Sequence, residues 1–203
     1  MFDKYNKVQQ AVLETTLRII IQRELQATSM ALIAKESGVS TGNIYHYFQS
    51  KEDIVNELYK GIVTFNGEYV IQGLNQKGTI RERFNWGWEK VIELSKKYPE
   101  GFLFIEQYSF SPYIYEEVKK EAYSGGWCGP MNKLYAEAID QQLIIDMQPE
   151  LMVQMHYGSI VYMVKGHIHG NIEFTEEIAR DAIQACWNGI SRDFQKPIKQ
   201  VLV

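Results

Sequence analysis

The stretch from Ser29 to Asp53, SMALIAKESGVSTGNIYHYFQSKED, confines this chain more tightly than any other. It reads as two short helices joined by a tight turn and running into the start of a third. Thr28 or Ser29 caps the free backbone N–H groups of the first helix, and Met30, Ile33 and Ala34 fall on one of its faces. Gly38 then supplies the positive φ that a sharp inter-helix turn requires, and Val39 reaches back into a small core. Ser40 caps the second helix, in which Ile44 and Phe48, four apart, bury one face. The opposite face, at about 100° per residue, falls on Gly42 and His46 with Asn43 and Tyr45 on the flanks and Thr41 at the tip. Such a helix-turn-helix points to double-stranded DNA.

Two features of that outward face are hard to explain by stability alone. A glycine at position 42 costs the helix about 1 kcal/mol against alanine, and an outward tyrosine beside a histidine gains little in water. Close approach to a phosphate backbone accounts for both, with Tyr45 and His46 donating hydrogen bonds to phosphate oxygens. Lys51 follows the cap Ser50 at a helix start, where the helix dipole disfavours a cation unless an anion is present. The alternative for Lys51 is a solvated lysine balanced by Glu52 and Asp53, with Asp53 closing a capping box on Ser50.

The run IAKESGVSTGNIYHYFQSKEDIV resembles the DNA-binding signature of the TetR family of bacterial transcriptional regulators. Ile33-Ala34, Gly38-Val39-Ser40, Gly42, Tyr45, Phe48 and Ser50-Lys51-Glu52 match it without a gap. The resemblance covers about the first quarter of the chain by motif. It implies an all-α fold of about nine or ten helices: a three-helix DNA-binding domain over residues 1–50 and a larger helical ligand-binding and dimerisation domain over 51–203. The DNA-contacting candidates are Thr28, Ser29, Ser40, Thr41, Gly42, Asn43, Tyr45, His46 and Lys51. A first helix is predicted from about Asp3, a possible cap, to Arg23, with Val8, Val12, Ile19 and Ile20 inward. The helix begun at Ser50 continues through Ile54, Leu58 and Ile62. Gly61, Gly67 and Gly73 either loosen it as a lever between the domains or only mark fraying.

Charge bears on the DNA reading. The whole chain carries a formal −4, yet residues 1–51 hold 6 basic and 4 acidic side chains, so the acidic excess lies in the remainder. An acidic body with a mildly basic end directs DNA to that end. Cys128 and Cys186 are too few and too far apart for a disulfide framework, which suits a reducing cytoplasm. The longest apolar run found, IVYMV at 160–164, is far short of the roughly 20 residues of a membrane helix.

From Thr79 to Pro130 the chain is dense in aromatics, among them Trp86, Trp88, Phe102, Phe104, Tyr108, Phe110, Tyr113, Tyr115, Tyr123 and Trp127. Breaks at Tyr98-Pro99, Ser111-Pro112 and Gly125-Gly126 through Gly129-Pro130 divide it into three helices. Most of these rings are core. The excess also suits a pocket for a lipophilic or aromatic molecule, with Trp86, Phe102, Glu106, Tyr108, Trp127, His156 and Tyr162 as candidate lining. Glu106, in the apolar run GFLFIEQY, is placed to receive a cationic ligand, or is an ordinary half-exposed glutamate.

Residues 149–169 begin with proline and are apolar almost all round, and Thr175 caps a further apolar helix. Two such helices have more apolar surface than one chain covers. The resemblance implies that they form a four-helix bundle across a two-fold axis, with Tyr157, Ile160, Val164, Ile183, Trp187 and Ile190 as interface candidates. Catalysis finds little support: there is no CxxC, HExxH, GxSxG or phosphate-binding glycine loop, and no cofactor or metal site is expected. The reading is a homodimeric, ligand-responsive transcriptional regulator, a repressor by the resemblance, on a near-palindromic operator. The alternative is a helical small-molecule-binding protein without specific DNA binding.

Overall fold

A computed structural model describes residues 1–75 and 77–194, except the side chains of 123–125 and 194, so the ring of Tyr123 lies outside the described residues. Among the described residues there are ten α-helices and a 3₁₀ turn, with one isolated β-bridge between Ile144 and Ser191. The chain forms two compact units. One comprises Met1–Tyr69 and Leu94–Trp127, the other Val70–Glu93 and the chain from Cys128 onward. The first unit thus extends well past residue 50.

In the first unit α1 spans Lys7–Arg23. It starts later than the sequence suggests because Asn6, not Asp3, is its cap. The Asn6 side chain accepts the N–H groups of Val8 and Gln9, and Gln9 reaches back to close a capping box. The residues before it turn back, with Tyr5 N–H on the Phe2 carbonyl, and Phe2 is buried. At its far end Glu24 takes φ +64°, a left-handed exit uncommon for a residue with a side chain. The turn delivers Leu25, which is 2% exposed, into the core.

Helices α2 (Met30–Ser37) and α3 (Thr41–Tyr47) follow as the motif requires. Ser29 caps α2 by accepting Leu32 N–H at 3.2 Å, and Ser40 caps α3 by accepting Asn43 N–H at 3.3 Å. Gly38 between them has φ +70°. α4 (Lys51–Leu74) is one helix despite its three glycines. At Gly73 a Cβ would lie 2.6 Å from the Trp86 carbonyl oxygen, so its missing side chain lets two backbones approach.

Ile33, Ile44, Phe48, Ile54 and Leu58 lie in one apolar core together with Phe104 and Tyr108 of α6 (Pro99–Tyr108) and Ile114 in the loop before α7 (Glu116–Gly125). The helix-turn-helix therefore has no separate core. Asn56, 5% exposed on α4, holds that loop by donating to the Tyr113 carbonyl at 3.0 Å and accepting Tyr115 N–H at 2.8 Å.

The second unit is built on α5 (Ile80–Lys97, up to Glu93), α8 (Cys128–Asp140), α9 (Pro149–Ile168) and α10 (Glu176–Ile190). Thr79 and Glu82 cap α5 reciprocally, and Thr175 caps α10 by accepting Ile178 N–H. Pro130 falls within the first turn of α8, where a missing N–H has no helical acceptor to lose, so it does not break the helix. Both cysteines are free thiols, and among the described residues no helix is long and apolar enough to cross a membrane.

Phe84 is the hub of this unit's core, with the rings of Trp88, Tyr135, His156 and Trp187 around it. Trp88 Nε1 donates to the Tyr135 hydroxyl at 3.0 Å, and that hydroxyl lies 2.6 Å from His156 Nδ1. The Tyr135 oxygen accepts the indole proton and shares one further proton with His156 Nδ1, in the direction that the histidine tautomer sets. Burial lowers the His156 pKa from its ordinary 6.5 to about 4, in keeping with a neutral ring. A base whose folded pKa is depressed destabilises the fold as pH falls, because the unfolded chain takes up the proton first. Thermal melts should therefore show a loss of stability between pH 6.5 and about 4 that is reduced in His156→Gln; an unchanged slope in the variant would assign that loss to other groups.

Candidate nucleic-acid interface

The candidate interface is the outer face of α3. Ile44 is fully buried and Phe48 is 3% exposed, which fixes the helix's rotation about its axis. Thr41, Gly42, Asn43, Tyr45 and His46 consequently all reach solvent, as the helical period requires. Tyr45 is 51% exposed. Among the described residues, nothing beyond its chain neighbours and its own helix backbone lies within 4 Å of where a Gly42 Cβ would stand. No intramolecular packing therefore requires glycine at this position.

The sequence reading overlooked Tyr47. It is 39% exposed and its ring stands edge-on to that of His46, with centroids 4.7 Å apart. Sitting at the last turn of so short a helix, it lies off the face that the α-helical period assigns to the outside, although an aromatic pair beside a histidine was a visible signal.

The remaining candidates divide by chemistry. Ser29 and Ser40 are exposed, and each uses an oxygen lone pair for its cap, which leaves the hydroxyl proton available to a phosphate oxygen. Thr28 is different. It is 2% exposed and its hydroxyl donates to the Glu24 carbonyl at 2.9 Å, so its side chain stabilises the α1–α2 loop and does not face outward. Lys51 is half-buried, and its ammonium donates to the Leu25 carbonyl at 3.2 Å, with two further protons in hand. The expected capping box also differs: Ser50 accepts Asp53 N–H, but the Asp53 carboxylate takes the N–H of Gln49.

The pocket candidates do not gather in one unit. Phe102, Glu106, Tyr108 and Trp127 belong to the first, and Trp86, His156 and Tyr162 to the second. Tyr108 is buried, and its hydroxyl accepts Leu25 N–H at 3.3 Å; burial raises its pKa. Glu106 is half-buried and already has interactions of its own. Tyr162 is 81% exposed. Of the interface candidates, Ile160, Val164, Ile183 and Ile190 are buried within their own chain, and only Tyr157 and Trp187 are partly accessible. The apolar side chains that α9 leaves exposed are instead Leu151, Met155 and Tyr162.

A capped helix-turn-helix whose second helix turns a polar, glycine-opened face to solvent defines a DNA-binding protein of that class. Residues 12–58 match the bacterial regulatory proteins of the tetR family, and residues 47–192 match the tetracyclin repressor-like C-terminal domain. The chain belongs to the tetR family, whose members are DNA-binding transcriptional regulators. It is similar to the HTH-type transcriptional repressor KstR2 of Rhodococcus jostii, 30% identical over 84 residues, which is 39% of this chain and 41% of that protein. It is also similar to the fatty acid metabolism regulator protein of Bacillus subtilis, 29% identical over 72 residues, which is 36% of this chain and 37% of that one. The matched stretch thus spans about two fifths of the length of either relative. The fold is that of a TetR family transcription regulator from Marinobacter aquaeolei, with a TM-score of 0.83 at 20% identity over 94% of this chain and 99% of that one.

Because Gly42 meets no neighbour, Gly42→Ala is expected to stabilise the free protein by a few tenths of a kcal/mol up to about 1 kcal/mol. The same change should weaken DNA binding. Urea unfolding and a fluorescence-anisotropy titration with operator DNA check the two signs; a variant that is both more stable and equally tight on DNA would remove the close-approach argument.

Proposed function

We propose that this protein is a homodimeric transcriptional repressor that binds a near-palindromic operator and releases it on taking up a small lipophilic or aromatic molecule. The observation that carries the reading is the exposed face of α3, open at Gly42 and flanked by Asn43, Tyr45 and His46. Tyr45, Tyr47, His46 and the cap hydroxyls of Ser29 and Ser40 are suited to phosphate oxygens and set the register. Thr41 and Asn43, at the N-terminal end of the helix, are suited to base edges. Lys51 reaches a phosphate while keeping its bond to Leu25.

A dimer gives the two recognition helices the spacing of successive major grooves. We assign its interface to the exposed side of α9, where Leu151, Met155 and Tyr162 follow one helical face with Gly158 and Ser159 between them. Apolar side chains separated by small residues allow close helix packing, and burying them favours association. Tyr162→Glu with Met155→Glu should convert the dimer to a folded monomer in sedimentation analysis and weaken operator binding severely; a variant that remains dimeric would place the interface elsewhere.

Effector release follows from a difference in effector affinity between the DNA-compatible form and another form. The name of the Bacillus relative, a fatty acid metabolism regulator, favours a lipophilic effector here too. Selection of bound fragments from sheared genomic DNA of the source organism tests the whole reading, with Gly42→Glu as control. One or a few near-palindromic sites, absent with the control, are expected, and Thr41 or Asn43 substitutions should shift the preferred bases. No enrichment at low salt by a folded, effector-free dimer would favour a helical small-molecule-binding protein without specific DNA binding.

A further inference from the structure

Among the described residues, three buried side-chain polar atoms have no partner: Arg81 Nη1, Asn85 Oδ1 and Asn132 Oδ1. All three belong to the second unit. Arg81 and Asn85 lie one turn apart on α5 and share a face. Native interiors rarely leave such groups unmatched, and a cationic donor is the most costly of them to leave so.

Among the described residues Arg81 also has no acidic partner. Its guanidinium stacks over the rings of Trp187 and Phe84, with Cζ 4.7 and 5.6 Å from their centroids. Its one hydrogen-bond acceptor is the neutral amide oxygen of Gln184, 2.5 Å from Nη2. The acid next to it in the chain, Glu82, is committed to Thr79. Burial lowers the affinity of Arg81 for its proton, and no neighbouring carboxylate offsets this. The charge the site lacks is therefore negative, the reverse of what a receiving Glu106 would imply.

We infer that Arg81 receives the anionic group of the effector, and that the effector is a carboxylate attached to an apolar or aromatic body. This deepens the ligand-responsive part of the function proposed above and rests on it. Two parallel N–H groups of a guanidinium match the two oxygens of a carboxylate. Gln184 is exposed and also donates to Asn188 at 2.6 Å, so its side chain can turn away to Asn188 and let a carboxylate span Nη1 and Nη2. The neutral hydrogen bond becomes a charge-assisted pair, and the half-buried ring of Trp187 under the guanidinium provides apolar surface for the attached body.

The test uses the full-length protein, sodium octanoate and sodium benzoate as probes, and uncharged octanamide as control at matched ionic strength. Tryptophan fluorescence and thermal shift are the readouts. A saturable response to a carboxylate is expected, with octanamide weaker by about tenfold or more, as loss of a charge-assisted pair implies. Arg81→Gln should lose the response to a similar degree. Gln184→Glu, which supplies an internal carboxylate, should block it and raise the melting temperature of the free protein, and this variant decides the matter if Arg81→Gln does not fold. Equal responses to octanoate and octanamide, a response unchanged in both variants, or no saturable response to either carboxylate overturns the inference. Since these readouts involve no DNA, fragment selection that finds an operator while no carboxylate acts overturns this inference alone and leaves the repressor reading standing.

Discussion

The recognition helix is held through Leu25. Its side chain is buried, its N–H is taken by the hydroxyl of Tyr108 on α6, and its carbonyl is taken by Lys51 at the start of α4. Buried backbone groups must be paired, and a loop residue has no helix or sheet to pair it. Here two side chains from distant parts of the chain do so, and they clamp the α1–α2 loop in the left-handed exit that Glu24 makes from α1. Ile33, Ile44 and Phe48 then share one core with Phe104 and Tyr108. α6 is therefore joined to the helix-turn-helix through packed side chains and the hydrogen bond between Tyr108 and Leu25.

On α3 the division of labour between faces is complete. Burial of Ile44 and Phe48 fixes the helix's rotation, and the same 3.6-residue period places Gly42, Tyr45 and His46 on the other side. A glycine that nothing in the protein needs, beside aromatic donors that gain little from water, is a local conflict with stability. Conflicts of this kind concentrate where a protein meets its partner. Lys51 shows the opposite economy, since one ammonium stabilises the fold at Leu25 and retains protons for an anion.

The second unit keeps its polar groups on a short chain through its aromatic core. Trp88, Tyr135 and His156 are joined by hydrogen bonds, and burial holds the histidine neutral. Arg81, at the margin of the same rings, has no such completion, and this contrast within a single cluster marks it as a place that awaits a group from outside the chain.

The sequence by itself determined the all-α class, the helix-turn-helix with its caps and turn glycine, and, Tyr47 apart, the residues that α3 shows to solvent. These depend on local periodicity and backbone chemistry, which a short stretch carries complete. Tertiary structure alone decided the rest. Asn6 displaced Asp3 as the first cap through its reciprocal bonds with Gln9. Thr28 turned inward to the Glu24 carbonyl. On α9, apolar almost all round, the sequence pattern could not choose a buried side, and packing placed Ile160 and Val164 inside and Met155 and Tyr162 outside. The missing counter-charge of Arg81 was likewise invisible in the sequence, because the lack of a partner is a property of the surroundings and these come from α10, about a hundred residues away in the chain.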